Sequence, residues 1–350
     1  MTDSSSEPAH SGGPSFVAKI MIIVVVAAVI LATWQIAPVF MLGFGGIVVA
    51  VALNNIATPL ARRTGLPHTA SLGLTVLGLT LVGIIFFTLF GAAAAAQFTM
   101  LIEQLPQAWV AAETWLESWE FGRQILSLSG DAMSGGGAAL FNALPIAGGL
   151  LGGIANAVLM LVIGIYLAAD PIAYRTGALR LLRPARRARA EEILGETASA
   201  LRKWLTAMSL DMLFLGIITG IGLWLVGVPL YFALGVLSGL SVFVPYLGPL
   251  VATVPGLLLA LSVSPELALY ALIVYVVTQQ LEGNISLPLL QRWTVQMPPA
   301  LMLLAMVGFG LLFGLWGVLL ATPLAVAVMT IIRMAYVEDV LEKPSPIRAG

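Results

Sequence analysis

Long apolar runs broken by short polar ones organise this chain. Phe16–Ile36, Val39–Leu60, Ala70–Ala96 and Pro145–Ala169 are each long enough for a helix across about 30 Å of hydrocarbon. Pro38 separates the first two spans, and Gly148, Gly149, Gly152 and Gly153 in the fourth permit close helix approach. Asn54 and Asn55, near the end of the second span, are expected to bond to neighbouring helices. Two further apolar helices are expected, Trp204–Val226 and Glu266–Glu282, each followed by a stretch too long for one upright helix.

Those two stretches, Pro229–Leu261 and Pro298–Ile332, each carry a central break. The first breaks at Pro245, Gly248 and Pro249, the second at Gly314 and Gly317. At a fixed offset of 69 residues they match at Pro229/Pro298, Gly239/Gly308, Gly248/Gly317, Ala252/Ala321 and Thr253/Thr322. The same offset sets Asp211 against Gln280. Each unit then reads as one spanning helix followed by a hairpin of two short helices; if each hairpin returns to its own side, the two copies are inverted.

The expected fold is therefore an all-α polytopic membrane protein. It has about six full transmembrane helices plus two re-entrant helical hairpins in an inverted repeat, or alternatively eight transmembrane helices. The divisions are a disordered tail 1–15, three spans 16–96, an external amphipathic segment 97–144, a fourth span 145–170 and a basic loop 171–203. Repeat units 204–261 and 262–333 and a tail 334–350 complete the chain.

Polar residues inside the apolar runs mark candidate chemistry. Gln279, Gln280, Glu282 and Asn284 interrupt one of them, and Gly283 and Pro288 weaken and end the helix, freeing carbonyls at membrane depth. On a helix Gln280 and Asn284 share one face, and Gln279 and Glu282 the adjoining one. Amides and a carboxylate beside a broken helix form a transporter's substrate or ion site, or else a helix end that has reached the interface. Asp211 reads as a proton- or cation-binding carboxylate, or as an interfacial acid paired with Arg202 or Lys203.

Composition supports the membrane assignment. Of 350 residues, 59% are apolar and 9% charged, where a soluble domain carries about a quarter charged. There is no cysteine, and the two histidines, His10 and His68, lie outside the spans, so neither a thiolate metal site nor a histidine-based hydrolase is available. No phosphate-binding Gly-x-x-x-x-Gly-Lys-Ser/Thr loop is present to hold ATP. These absences argue against an enzyme, and no cofactor is expected beyond H+ or Na+ as a coupling ion.

Charge placement sets the topology. Arg62, Arg63 and the cluster Arg175, Arg180, Arg183, Arg186, Arg187, Arg189, Arg202 and Lys203 face the cytoplasm, where this cluster anchors topology and meets lipid headgroups rather than nucleic acid. The acidic segment with Glu103, Glu113, Glu117, Glu120 and Asp131, interleaved with Trp109, Trp115 and Trp119, lies outside as a surface helix packed on its own protein, followed by a Gly-rich loop at Ser134–Gly137. Both termini are then expected in the cytoplasm.

Several motifs in order resemble a known family. Asp170-Pro171-x-x-Tyr174-Arg175 with its arginine-rich sequel, Gly222-Leu-x-x-x-Gly227-Val228-Pro229 and Val244-Pro245-Tyr246-x-Gly248-Pro249 are similar to the autoinducer-2 exporter family of bacterial inner-membrane permeases. So are Gln280-x-Glu282-x-Asn284-x-x-x-Pro288 and Phe313-Gly314-x-x-Gly317-x-x-x-Ala321-x-Pro323. The resemblance implies a homo-oligomeric multipass transporter that works without ATP. Its cargo would be a small polar organic molecule such as an autoinducer-2-like signal, exported with ion coupling. Monovalent cation/proton antiport is the alternative within the family, and a passive pore or scaffold is the alternative outside it. Met297-Pro298-Pro299 and Asp211 depart from the family pattern.

Overall fold

The computed structural model describes residues 16–89, 91–117, 146–245, 247–286, 288 and 298–341. The expected tail 1–15, the Gly-rich loop and the last nine residues lie outside them. All regular structure among the described residues is helical, and the protein is an all-helical polytopic membrane protein. Five described helices are long and apolar enough to cross a bilayer.

The first helix, α1 (Phe16–Thr64), runs 49 residues without a break, through both Pro38 and Pro59. The turn expected at Pro38 is absent. Proline loses one hydrogen bond yet its fixed φ is helical, and in lipid a continuous helix is the cheapest way to satisfy the remaining backbone groups. At about 1.5 Å per residue the helix is about 74 Å long, so its two ends lie far apart. The cytoplasmic placement of the N-terminus, which needed that turn, loses its support.

Gly65, at φ +71°, turns the chain into α2 (His68–Leu89). Next comes α3 (Gly91–Glu117), beginning six residues before the expected amphipathic segment. It packs on its own protein: Leu105 joins the core cluster of Leu223, Val228, Leu234 and Leu259, and the Gln97 side chain accepts from Ala233 N at 3.2 Å. Its Trp109 Nε1 donates to Glu113 at 2.7 Å.

The fourth expected span is α4 (Ile146–Ala169), packed along α1. Their close approach is made by Gly164, whose added Cβ would meet Gly46 O at 3.0 Å, and not by Gly152 or Gly153, which face open space.

The basic stretch is helical rather than a loop. Asp170 caps α5 (Pro171–Arg180) by accepting from Ala173 N at 2.9 Å. After a short turn, α6 (Pro184–Val226) continues from the basic segment straight into the apolar one. Its Ala-, Arg-, Glu- and Leu-rich start is a strong helix former, so nothing breaks the chain at Trp204. Near that level Asn55 Nδ2 donates to Thr206 Oγ1 at 2.8 Å, tying α1 to α6, while Asn54 Oδ1 is buried without a partner among the described residues.

Two helical hairpins follow, and the chain reverses at both expected breaks. In the first, α7 (Tyr231–Ser241) and α8 (Leu247–Val263) are too short for about 30 Å of hydrocarbon. They run antiparallel: Leu234 packs with Leu259 and Ala260 at the open end, and Gly248 meets Ser241 O at the tip. Only a residue without Cβ fits there.

The second hairpin is folded from α10 (Pro299–Ile332), which turns at Gly314 (φ 61°, ψ −142°). Gly310 then faces Val318, and Gly317 lies on Phe309 O, contacts that a straight helix would hold about 12 Å apart. Between the hairpins, α9 (Pro265–Leu281) descends to a wider π-type turn, Glu282–Ser286.

The hairpins point in opposite directions. The open end of the first sits by Leu223 and Val228, and its tip residue Phe243 reaches Leu201 and Trp204 at the basic end of α6. The tip of the second, with Phe313 and Trp316, packs on Met41, Val48 and Met160. Its returning limb passes Trp204 through Val326 and Ala327. Beyond it the π-type segment Arg333–Leu341 is held by Arg189, which contacts Glu192 (2.7 Å), Glu338 (2.9 Å), Asp339 (3.1 Å) and Met334 O (2.9 Å). Donating to the carboxylates of Glu192, then Glu338 and Asp339, holds this guanidinium's pKa above its ordinary value.

Candidate functional site

The site grows from two facing stripes. Along α6 the buried positions include Trp204, Ala207, Asp211, Leu215, Thr219 and Leu223, spaced three and four apart, which puts them on one face. Along α9, Ser264 caps the start by accepting from Leu267 N at 3.1 Å, and Ala271, Tyr275 and Thr278 are buried at the same spacing. This stripe continues through half-buried Glu282 to buried Ser286.

The stripes meet at their polar ends. Ser286 Oγ donates a hydrogen bond to Asp211 Oδ1 across 75 residues of chain. Asp211 is 3% exposed, and Glu282 stands one turn before Ser286 on the same stripe. No arginine or lysine among the described residues forms an ion pair with Asp211, so the pairing with Arg202 or Lys203 is not formed. A carboxyl group placed in lipid without such a partner disfavours the fold by about 3 kcal/mol, and the Ser286 hydroxyl offsets part of that.

The four polar residues of the broken helix divide between two faces. Glu282 stands one turn before the Ser286 that bonds Asp211, and Gln279, like Glu282, is half-buried. Gln280 and Asn284 are exposed on the opposite side of α9, where Asn284 Nδ2 donates to Gln280 O at 2.8 Å and so satisfies a carbonyl freed by the wider turn. Pro288 is exposed; Pro245, Gly248 and Pro249 form the first hairpin tip, and Gly314 and Gly317 the second.

Sequence reasoning missed Ser286. The signal was present, since Ser286 stands four residues past Glu282, but treating Gly283 as the helix end hid it. Tyr275 was also missed. Its hydroxyl donates to Ala252 O at 3.2 Å and rests on Gly256, beside the buried Ser238 hydroxyl, which makes no hydrogen bond of acceptable geometry among the described residues.

A buried acid bonded to a broken helix, beside two oppositely directed hairpins, is transporter architecture, and comparison with known proteins agrees. The model of the AI-2E family of transporters matches residues 20–336. The chain belongs to that family. Among individual relatives, YrrI of Bacillus subtilis (strain 168), provisionally named a transport protein, is 33% identical over 150 residues, covering 43% of this chain and 42% of YrrI. PerM of Escherichia coli (strain K12), provisionally named a permease, is 31% identical over 193 residues, covering 51% of this chain and 54% of PerM. The matched stretches span about half the length of these relatives or less. The family is one of transporters, and Asp211, Glu282 and Ser286 lie within the matched residues.

Proposed function

We propose that this protein is a secondary transporter of the bacterial cytoplasmic membrane that exports a small polar organic molecule, an autoinducer-2-like signal or metabolite, with H+ or Na+ as the coupling ion. Asp211, Ser286 and Glu282 form its polar site. The observation that supports this reading above others is a carboxylate buried at lipid depth whose described partner is one hydroxyl on a broken helix. A static scaffold has no use for such a group, whereas a site that alternately holds and releases an ion or a polar solute requires one.

The basic ends of α5 and α6 lie in the cytoplasm by the positive-inside rule, which also carries Arg333 and the C-terminal segment there. The first hairpin then enters from outside and the second from inside, both re-entrant. The working unit is a homo-oligomer without ATP hydrolysis. Single-cysteine labelling tests the topology: Ser264→Cys reacts from outside if the first hairpin is re-entrant, and reaction only from inside removes it.

Transport is tested in proteoliposomes under an imposed ion gradient. Asp211→Asn keeps an acceptor for Ser286 but cannot exchange a charge, so it folds and loses coupled flux. Full flux by this variant would dismiss the site. The pair Asp211 and Glu282 also suits monovalent cation/proton exchange, and a sodium-dependent collapse of a proton gradient in everted vesicles would favour that reading.

A further inference from the structure

We propose that Trp204 and Phe243 are the cytoplasmic gate on the path to Asp211. Trp204 stands seven residues before Asp211 on the same stripe of α6, about 10 Å closer to the basic end, with Ala207 between them. Anything that leaves Asp211 along this face toward the cytoplasm meets Trp204 next. Phe243 meets Trp204 edge to face, with ring centroids 5.7 Å apart and planes at 67°. Leu201, Val326 and Ala327 pack around the pair, so α6, the first hairpin tip and the returning limb of the second hairpin close at one point.

The two rings are held differently. Trp204 sits in a continuous helix and is 7% exposed, a fixed doorpost. Phe243 lies in the non-helical tip between α7 and α8, held by Phe243 N to Leu240 O at 3.2 Å and Val244 N to Ser241 O at 3.0 Å. A tip of this kind shifts without breaking a helical ladder, since the bonds on either side are confined to α7 and α8. The first hairpin has its open end at the far side of the molecule, so a displacement there is carried to a seal at the basic end. Transport through the Asp211 site is the reading on which the direction of the path rests, but the seal itself is testable without transport.

The chain contains no cysteine, which makes Ala207→Cys a clean reporter, since Ala207 is buried between the gate and Asp211. Everted vesicles, which present the cytoplasmic face, are treated with a membrane-impermeant maleimide. Labelling is expected to be slow with the native gate and about tenfold faster when Phe243→Ala or Trp204→Ala removes the aromatic contact. Phe243→Tyr and Trp204→Phe keep a ring at each position and should restore slow labelling, which separates gating from general loosening. Equal labelling in all variants, or fast labelling that the ring-keeping variants do not reverse, overturns the gate. Failed export with this labelling pattern intact would sink the transport reading and leave the gate standing.

Discussion

Gly239→Ala tests how the first hairpin is held, because the contact it would violate is backbone against backbone. A Cβ at Gly239 would fall 2.6 Å from Met212 O and 3.1 Å from Gly216 Cα, and ordinary contact begins at 3.4 Å. Neither atom can rotate away as a side chain would, so α6 and α7 must separate locally by about 0.8 Å. Overpacking of this size destabilises by about 1–3 kcal/mol. The loss matters more in a bilayer, where close packing rather than water exclusion holds helices together. In a reversible unfolding titration in mixed micelles, read by tryptophan fluorescence, that range is about a 5- to 150-fold fall in the folded-to-unfolded ratio. The control is Gly220→Ala, where the nearest atom lies at 3.6 Å and no movement is needed. Equal stability of the two variants would refute the claim that the close approach at Gly239 sets the spacing of α6 and α7, and with it the placement of Phe243 against Trp204.

Further outcomes follow from individual contacts. Ser286→Ala removes the hydroxyl that donates to Asp211 and should lower stability by about 1–3 kcal/mol in the same titration, whereas Asp211→Asn should lower it less, because an amide oxygen still accepts that bond. Tyr275→Phe loses one hydrogen bond to Ala252 O and should weaken the fold by about 1 kcal/mol. Gly256→Ala should do more damage, since its Cβ would land on the Tyr275 hydroxyl, and a milder effect than Tyr275→Phe would count against the threading of that side chain. Arg189→Ala releases Glu338 and Asp339, so trypsin should cut after Arg333 several-fold faster than in the native protein; high salt should narrow the difference by screening the native ion pairs.

Much of the architecture was legible in one dimension. Bilayer thickness sets a minimum helix length, so apolar runs announce spans, and Gly314 and Pro245 mark places where a helix in lipid can turn. The matched glycines Gly248 and Gly317 pointed to the same steric need twice, a backbone approach that no Cβ permits. Asp211 and Glu282 stood out because carboxylates are costly at that depth.

Other features were decided only in three dimensions. Helical spacing already set Glu282 apart from Gln280 and Asn284, but a span that is apolar on every side has no local pattern to say which face turns inward, so packing against α6 decided that the Glu282 and Ser286 side is the inner one. Pro38 reads as a separator of two spans, yet α1 runs through it as one helix, because in lipid the continuous helix satisfies the backbone on either side. The Ser286–Asp211 bond and the Trp204–Phe243 contact join residues 75 and 39 positions apart. Chemistry in the sequence nominated one partner of each pair at most; the other is selected by the angle at which separately stable helices meet.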